Sequence, residues 1–265
     1  MISIGGNKLV TKKKTSKSSN RIVGISASPR KCFTSFYVST FLEIAKDKYG
    51  LETTFIDLSD FQINSCDGCG ACSKGELPKL CKHKDDWFDI VSQLYDPEPL
   101  ALVIGAPVYI FNPCSLLFSF FERFTVFHQW HYHPERFGGK KPPNWAQTAT
   151  AVIAVGGSRN GGQEETLSSI IRCLLLTGFV VVGGYPRSSI GVSIYEPIDS
   201  LSCTDDRALT LIGTVVSNVV RVGRALQEGK RYLEPDLTYK NTKRIANSVK
   251  SKNLKTLEKN LKKYL

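Results

Sequence analysis

No apolar run in this 265-residue sequence reaches the length of a membrane span, although 42% of its residues are hydrophobic. Residues 1–20 also lack the apolar stretch of a secretory signal peptide and contain five lysines instead. We therefore predict a soluble protein of the cytoplasm, built as one domain with extensions. Thiols stay reduced in that compartment, so the eight cysteines are not expected to form a disulfide framework.

Acidic residues are scarce at both ends of the chain. Residues 1–21 carry six basic side chains and no acidic one, and residues 240–265 carry nine basic side chains against Glu258 alone. The net charge of +11 therefore lies in the ends, and the body between them carries about −3. A nucleic-acid enzyme is expected to carry a basic patch on its folded body, so nucleic acid is not a predicted partner. Apolar residues three to five positions apart after residue 240 predict an amphipathic C-terminal helix.

Two common nucleotide motifs are also missing, because neither G-x4-G-K-[ST] nor G-x-G-x-x-G occurs as a strand-to-helix turn. Apolar strands instead alternate with amphipathic helices, which predicts a parallel sheet covered on both faces. The predicted strands are 21–26, 53–58, 100–105, 150–155 and 179–183, and the predicted helices are 34–49, 85–95, 115–127 and 164–176. In such sheets, ligands bind at the carboxyl ends of the strands.

The loop after the first predicted strand, residues 26–35, has the chemistry of a phosphate site. It offers the hydroxyls of Ser28, Thr34 and Ser35, and the guanidinium of Arg30. The backbone amides of a helix N-terminus add further donors, and the set suits a phosphate monoester. An ordinary strand-to-helix turn with a Ser or Thr cap explains the same residues equally well.

Two further loops, residues 106–112 and 156–163, follow the third and fourth predicted strands. The first carries Tyr109 and backbone groups that can flank a planar ring, or else Pro107 simply ends the strand. The second contains four glycines, which allow a ring edge to approach the main chain or form a flexible turn. Because all three loops lie at the same predicted edge of the sheet, they predict one pocket.

Four of the eight cysteines occur within sixteen residues, in the pattern C-x2-C-x2-C-x8-C. Three closely spaced thiols on a tight loop, with a fourth further along, favour an iron-sulfur cluster. Zinc is an alternative, although it more often uses two separated C-x2-C pairs, and reduced structural thiols are another. The four candidate ligands are Cys66, Cys69, Cys72 and Cys81.

Together these segments resemble a known family. The segments that carry the resemblance are Ser-Pro-Arg-Lys at 28–31, the cysteine motif with Asp85-Asp86 after it, Gly-Ala-Pro-Val-Tyr at 105–109, Gly156-Gly157, and Gly162-Gln163-Glu164. They are similar to the iron-sulfur flavoproteins within the NADPH-dependent FMN reductase group of the flavodoxin superfamily, over about residues 21–185. The resemblance implies a flavodoxin-like, doubly wound α/β fold with a five-stranded parallel sheet of order 2-1-3-4-5, and it implies bound FMN.

The resemblance also implies roles for individual residues. Ser28, Arg30, Thr34 and Ser35 would hold the FMN phosphate, Pro107, Val108, Tyr109, Phe111, Asn112 and Gly157 would line the isoalloxazine, and Cys66, Cys69, Cys72 and Cys81 would bind a [4Fe-4S] cluster. FMN exchanges electrons in pairs or singly, and the cluster passes them one at a time, so no side chain is expected to act as an acid or base. The implied function is an FMN-dependent oxidoreductase. The alternatives are an NAD(P)H-dependent FMN or quinone reductase without a cluster, and a non-enzymatic flavin- or zinc-binding regulatory module.

The FMN-binding domain is predicted to span residues 21–185, with its cysteine loop at 61–84, and the rest of the chain to flank it in sequence. Residues 1–20 are expected to form a flexible basic extension, and residues 186–265 a helical extension for oligomerisation or docking. A small redox protein such as ferredoxin, or NAD(P)H, is the expected electron donor, and a homodimer or homotetramer the expected assembly. Three histidines, His128, His131 and His133, fall in a predicted loop that we interpret as a lid over the flavin or a subunit contact.

Overall fold

The described residues between 19 and 229 form seven strands, seven α-helices and three short 3-10 helices. The computed structural model describes residues 19–74, 81–197, 205–229, 246–251 and 255. The strands are β1 (Arg21–Ser26), β2 (Glu52–Asp57), β3 (Ala101–Tyr109), β4 (Asn112–Pro113), β5 (Ala149–Gly156), β6 (Val180–Val181) and β7 (Val192–Tyr195). The helices are α1 (Phe33–Tyr49), α2 (Ala71–Lys74), α3 (Trp87–Ser92), α4 (Ser115–Glu122), α5 (Thr125–Tyr132), α6 (Gln163–Thr177) and α7 (Asp206–Gly229). The predicted N-terminal extension and most of the predicted C-terminal helix lie outside the described residues.

The strands form a parallel sheet of order β2-β1-β3-β5-β6, with β4 added antiparallel to the end of β3. β6 and β7 pair in parallel with opposite ends of β5 and so share the fifth position. The predicted order 2-1-3-4-5 and the flavodoxin-like α/β class are therefore confirmed. The fifth position is split because Gly183, Gly184 and Pro186 follow β6 and end its pairing, and the chain rejoins the sheet only at β7.

Apolar side chains on the two faces of the sheet form two separate cores. Every residue of β5 is buried, as expected for a parallel strand that is covered on both sides. One core includes Tyr37 and Phe41 of α1 and Ile212 of α7. The other lies beneath α3, α4, α5 and α6 and is rich in aromatic residues, among them Trp87 and Phe124. This packing holds the strands rigidly and leaves the loops at their carboxyl ends exposed.

β7 adds to the sheet and α7 covers one of its faces. The α/β fold therefore continues past residue 185, the end of the domain predicted from the sequence. By length and composition, α7 is long and apolar enough to cross a membrane, contrary to the expectation that no run reaches that length. Its apolar face is, however, buried against the sheet through Ile212, Val216 and Val220. In the described residues, α7 therefore has the position of a sheet-covering helix.

The predicted helix 115–127 is divided into α4 and α5, and this corrects the placement of the three histidines. No Gly or Pro marks the division, which occurs where Arg123 forms a buried ion pair with Asp85. The second helix, α5, extends to Tyr132, so His128 and His131 lie on a helix instead of in a loop.

Candidate functional site

The carboxyl ends of β1, β3 and β5 border a cleft of about 150 Å³. Because these strands are parallel neighbours, the loops that follow them meet at one edge of the sheet. The cleft wall consists of Ser28, Arg30, Cys32, Phe33, Thr34, Pro107, Val108, Tyr109, Val155, Gly156, Gly157 and Glu196. The three loops singled out in the sequence therefore do contribute to one pocket.

The first turn of α1 presents backbone amides that no side chain caps. Cys32 precedes the helix without a side-chain cap hydrogen bond, and the first turn contains no acidic residue. Ser28 is buried, and its Oγ accepts a hydrogen bond of 3.1 Å from the amide of Arg30. Uncapped amides, the guanidinium of Arg30 and the hydroxyl of Thr34 together form a good environment for a phosphate group.

Two glycines allow α1 to begin directly over the strand ends. A Cβ atom at Gly105 would lie 2.5 Å from Val38 Cγ2 and 3.1 Å from Thr34 Cγ2. A Cβ atom at Gly24 would likewise lie 2.8 Å from side-chain atoms of Val38 and Leu42. Since neither glycine has a side chain, the helix packs closely on β1 and β3, and Thr34 reaches the cleft wall.

A two-residue hairpin joins β3 to β4 beside the cleft. Its turn residues, Ile110 and Phe111, have φ values of 49° and 61°, a backbone conformation that favours Gly or Asn. Ile110 is 92% exposed, and Tyr109 is also exposed but lies in the cleft wall. Such strain in a turn next to a binding cleft is typical of functional sites, where surrounding structure enforces it.

The glycine-rich loop after β5 closes the other side of the cleft. The amide side chain of Gln163 occupies the space above Gly156, where a Cβ would lie 2.6 Å from Gln163 Nε2. Gln163 Nε2 donates to the carbonyl oxygen of Ser158 at 2.7 Å, and Gln163 Oε1 accepts from the amide of Gly161 at 2.9 Å. Gln163 thus holds the loop in shape, and Gly157 remains in the cleft wall.

Seven of the ten residues predicted to bind the cofactor line the cleft, and three do not. The seven are Ser28, Arg30, Thr34, Pro107, Val108, Tyr109 and Gly157. The hydroxyl of Ser35 donates to Asp57 Oδ2 at 2.7 Å, so it points toward β2 and away from the cleft. Phe111 packs over Gly162, and Asn112 forms the far strand of the hairpin, so both lie outside the wall.

Sequence reasoning missed Glu196, which lies in the cleft wall and is only 3% exposed. Its amide donates to the carbonyl oxygen of Gly156 at 2.9 Å, and its Oε1 accepts a hydrogen bond from the hydroxyl of Tyr37. The available signal was the apolar alternation of residues 192–195, which marks a strand with a polar residue at its carboxyl end.

The cysteine loop is fastened at its base by two consecutive carboxylates. Asp86 Oδ2 accepts from the amide of Gln62 at 2.7 Å, and Asp85 Oδ2 accepts from the amide of Asn64 at 2.8 Å. Asp85 also forms a two-pronged ion pair with Arg123 Nη1 at 2.6 and 2.7 Å, buried on both sides. Burial by itself raises the pKa of Asp85, but the hydrogen bonds from Arg123 and Asn64 outweigh it and lower the pKa.

The loop also contacts α4, the helix that follows the hairpin at the cleft. Ser65 Oγ lies 2.7 Å from Ser119 Oγ, and the amide of Cys66 donates to Glu122 Oε2 at 3.2 Å. One short helix therefore connects the wall of the cleft with the start of the cysteine motif.

The four thiols lie close enough to influence each other's ionisation. Burial raises the pKa of Cys72, and the charges of Cys66, Cys81 and Cys69 raise it further. Binding of a metal cation would reverse this effect, because thiolates bind metal in the deprotonated form.

A fixed positive charge lies beside these thiols. Lys82 forms an ion pair with Asp67, whose Oδ1 also accepts a hydrogen bond of 3.2 Å from the amide of Cys69. The hydrogen bond from Lys82 lowers the pKa of Asp67 to about 2, and the same bond raises the pKa of Lys82. Lys82 therefore lies as a charged group beside the cysteines, where it would offset part of the negative charge of thiolates that bind a metal.

The residues of the loop suit an iron-sulfur cluster. Gly68 and Gly70 have φ values of 67° and 68°, which lets the chain turn tightly between the first three cysteines. All seven cysteines in the described residues are free, so none of these is lost to a disulfide. Within the same residues, no three His, Cys, Asp or Glu side chains already stand in metal-binding geometry. The donor chemistry fits a cluster, and the thiols lie near each other without having converged on one point.

The three histidines do not form a second metal site. His128 Nε2 lies 3.4 Å from the carbonyl oxygen of Leu176, His131 Nε2 lies 3.1 Å from that of Pro143, and His133 Nδ1 lies 3.3 Å from Glu135. They contact three different segments and are absent from the cleft wall. The interpretation of this segment as a lid over the cleft is therefore not supported by its position.

A family model described as NADPH-dependent FMN reductase matches residues 20–189, a range that contains the first three cleft loops and the cysteine loop. This chain belongs to the NADPH-dependent FMN reductase family. The bound cofactor implied by the resemblance, FMN, is confirmed by this match, and the protein is a flavin-dependent oxidoreductase. Glu196 lies outside the matched range.

Curated relatives narrow the assignment within the family. The iron-sulfur flavoprotein of Methanosarcina thermophila is 32% identical over 182 residues, which cover 68% of this chain and 84% of the relative. An iron-sulfur flavoprotein of Archaeoglobus fulgidus is 32% identical over 66% of this chain and 82% of its own length. The predicted resemblance to iron-sulfur flavoproteins is confirmed.

Solved structures agree with the fold. RosB, whose crystal structure holds 8-demethyl-8-formylriboflavin-5'-phosphate, matches 88% of this chain and 87% of its own with a TM-score of 0.58. The sequence identity is 14%, so this similarity shows a shared fold and nothing about substrates.

Proposed function

We propose that this oxidoreductase carries two redox groups, FMN in the cleft and a [4Fe-4S] cluster on the four clustered cysteines, and passes electrons between them. The observation that carries the proposal is the direct connection of the two sites. α4 begins at the hairpin beside the cleft, and its last turn contacts the backbone at Cys66. The two proposed redox sites therefore adjoin opposite ends of one eight-residue helix, about 12 Å long, which places them near each other.

The cleft supplies binding and orientation for the flavin. Ser28, Arg30 and Thr34 are proposed to hold the phosphate, with the uncapped amides of α1, and Pro107, Val108, Tyr109 and Gly157 to flank the ring. FMN, when bound, supplies the ability to exchange electrons in pairs or singly. Among the described residues, Arg30 and Glu196 are the only charged side chains of the wall, so the wall residues bind and orient the cofactor.

The cysteine loop supplies the ligands and the electrostatics of the cluster. Cys66, Cys69, Cys72 and Cys81 are the proposed ligands, and a cluster held by them would pass single electrons. Lys82, paired with Asp67, would offset part of the negative charge of a bound cluster, and the Asp85–Arg123 ion pair holds the loop in position. The names of the relatives described above support a cluster in this loop.

The test is anaerobic purification followed by analysis of iron, sulfide, zinc and FMN. We expect FMN together with about four iron atoms per chain, as a [4Fe-4S] cluster requires. The variant Cys72→Ser should lose iron and keep FMN. Cys173→Ser is the matched control, because Cys173 lies on α6 away from the loop, and it should keep both.

A reductase without a cluster is the second candidate. It is favoured by the family model that matches residues 20–189, because its description names NADPH and FMN. Protein with FMN, without iron and with rapid oxidation of NADPH would support this candidate and contradict the two-cofactor proposal. Zinc in place of iron would have the same consequence.

We further propose a cytoplasmic, homo-oligomeric protein that takes electrons from NAD(P)H or from a small redox protein. The clustered cysteine pattern supports the compartment, because thiols and clusters persist where glutathione keeps cysteines reduced. Exposed apolar side chains support self-association, among them Ile110, Leu175, Leu176 and Tyr185. Light scattering of the purified protein decides the oligomeric state.

A further inference from the structure

Glu196 is a buried carboxylate for which the chemistry described so far has no use. It follows β7 at the carboxyl edge of the sheet, and its amide is fixed to the carbonyl oxygen of Gly156. It is 3% exposed, yet it forms part of the cleft wall. Burying a carboxylate costs several kcal/mol unless partners compensate it, so its retention at this place calls for a function.

The partners of Glu196 use only part of the hydrogen-bond acceptor capacity of its carboxylate. Its Oε1 accepts a hydrogen bond from the hydroxyl of Tyr37, a buried residue of α1. No ion pair links it to a cation in the part of the chain that the structure describes. An ionised carboxylate accepts up to about four hydrogen bonds, so acceptor capacity remains for groups that enter the cleft.

The position of Glu196 indicates which part of a flavin it meets. Tyr37 lies one helical turn after Thr34, on the same face of α1, while the amide of Glu196 is bonded to Gly156, the neighbour of Gly157. The carboxylate therefore lies between the phosphate side and the ring side of the cleft. A phosphate is excluded as its partner, because two anions in a buried site repel each other. The neighbour of the phosphate in FMN is the ribityl chain, whose hydroxyl groups are hydrogen-bond donors.

We infer that Glu196, oriented by Tyr37, binds the ribityl hydroxyls of the flavin and so selects ligands that carry a polyol chain. The inference rests on the flavin site proposed above and adds a residue from outside the region matched by the family model. A charged acceptor discriminates strongly between a ligand that donates to it and one that lacks the donor, since in the latter case the carboxylate stays buried and unpaired. Lumiflavin has the ring without the ribityl chain, so Glu196 should not increase its binding affinity.

The test compares three ligands on the full-length protein freed of flavin: FMN, riboflavin and lumiflavin, titrated by quenching of flavin fluorescence. For Glu196→Ala we expect FMN and riboflavin to bind about tenfold more weakly, the effect of losing a hydrogen bond to a charged group. Lumiflavin affinity should stay within about twofold of the wild type, by the same reasoning. Glu165→Ala is the matched control, because it removes one exposed carboxylate of α6 and should change none of the three affinities.

Three results would overturn the inference. Tighter FMN binding with unchanged riboflavin binding would place the carboxylate against the phosphate. Equal weakening of all three ligands, with a native circular dichroism spectrum, would place it against the ring. Unchanged binding of all three would remove it from the site.

Two further measurements keep the test decisive. Should Glu196→Ala fail to fold, Glu196→Gln, which keeps the shape and one acceptor, must still weaken FMN and riboflavin and spare lumiflavin. Wild-type protein that binds none of the three flavins would contradict the flavin cleft itself. That failure is distinct from a wild type that binds all three while the variant shows no selectivity.

Discussion

At the scale of single residues, Gly105 determines how closely α1 approaches the sheet. A Cβ atom there would lie 2.5 Å from Val38 Cγ2, closer than carbon atoms approach without displacement. Gly105→Ala should therefore push the N-terminal half of α1 outward and lower the free energy of unfolding by about 1–3 kcal/mol. Because Thr34 moves with the helix, FMN affinity should fall as well. Urea unfolding and FMN titration measure the two effects.

Gly213 provides the control for this substitution. It lies on α7, and a Cβ atom there would have no neighbouring atom within 4 Å, so an alanine has open space. Gly213→Ala should raise stability by about 0.5–1 kcal/mol, the usual gain in a helix interior, and leave FMN binding unchanged. Equal stability of Gly105→Ala and the wild type would show that α1 has room to move without cost.

At the scale of elements, the β3–β4 hairpin has a turn that its residues do not favour. Ile110 adopts a left-handed conformation, which costs a β-branched residue about 1–2 kcal/mol, and its exposed side chain has little packing to lose. Ile110→Asn should therefore stabilise the protein by about 1 kcal/mol, measured by thermal unfolding.

Ile190→Asn is the comparison for the hairpin variant. Ile190 is also exposed, and it is not among the residues with positive φ. This variant should be neutral or slightly destabilising. A stabilisation of the same size at both positions would attribute the gain to the removal of an exposed apolar side chain and contradict the argument from backbone strain.

The base of the cysteine loop depends on the Asp85–Arg123 ion pair, whose side chains are almost fully buried. Asp85→Asn leaves the guanidinium of Arg123 buried without a counter-charge. It should lower the free energy of unfolding by about 3–5 kcal/mol at pH 7. Asp89→Asn, on the exposed side of α3, should cost almost nothing. Chemical unfolding of both variants measures the difference.

The same ion pair predicts a pH dependence. The folded protein lowers the pKa of Asp85, so its stabilising effect is complete above the ordinary carboxyl pKa of about 4 and is lost as the pH falls through the lowered value. The stability difference between the wild type and Asp85→Asn should therefore shrink as the pH falls from about 7 toward 3. A stability difference that stays constant over this pH range would mean that the charge of Asp85 does not contribute to the stability of the fold.

At the scale of the whole molecule, α7 is part of the folding unit. Five buried Ile and Val residues attach it to the sheet, and their burial contributes on the order of 10 kcal/mol, comparable to the total stability of a domain. A chain ending at residue 204 should not fold cooperatively or bind FMN. A chain ending at residue 239 should do both, because residues 246–251 and 255 are exposed where they are described. Circular dichroism and flavin content of the two truncated chains check this. Cooperative folding of the shorter chain would show that residues 206–229 are an extension that the domain does not need in order to fold.

Much of the candidate site is readable from local sequence. Ser28, Arg30 and Thr34 follow an apolar strand within a few residues, and parallel strands bring their carboxyl ends together, so the cleft follows from strand order alone. Ser35 shows the limit of this reasoning. The sequence places its hydroxyl in the right loop, but only the contact with Asp57 of β2 decides which way it points.

The sequence by itself determined the parallel α/β class and the cysteine pattern, because strand burial and residue spacing are local properties of the chain, and the order of the strands was implied by the resemblance to the iron-sulfur flavoproteins. Tertiary structure decided the rest. It divided the fifth strand, attached α7 to the sheet, and placed Glu196 in a cleft built mostly from residues 28–157. These features depend on contacts between segments far apart in the chain, and no local pattern reports which distant side chain will occupy a given space.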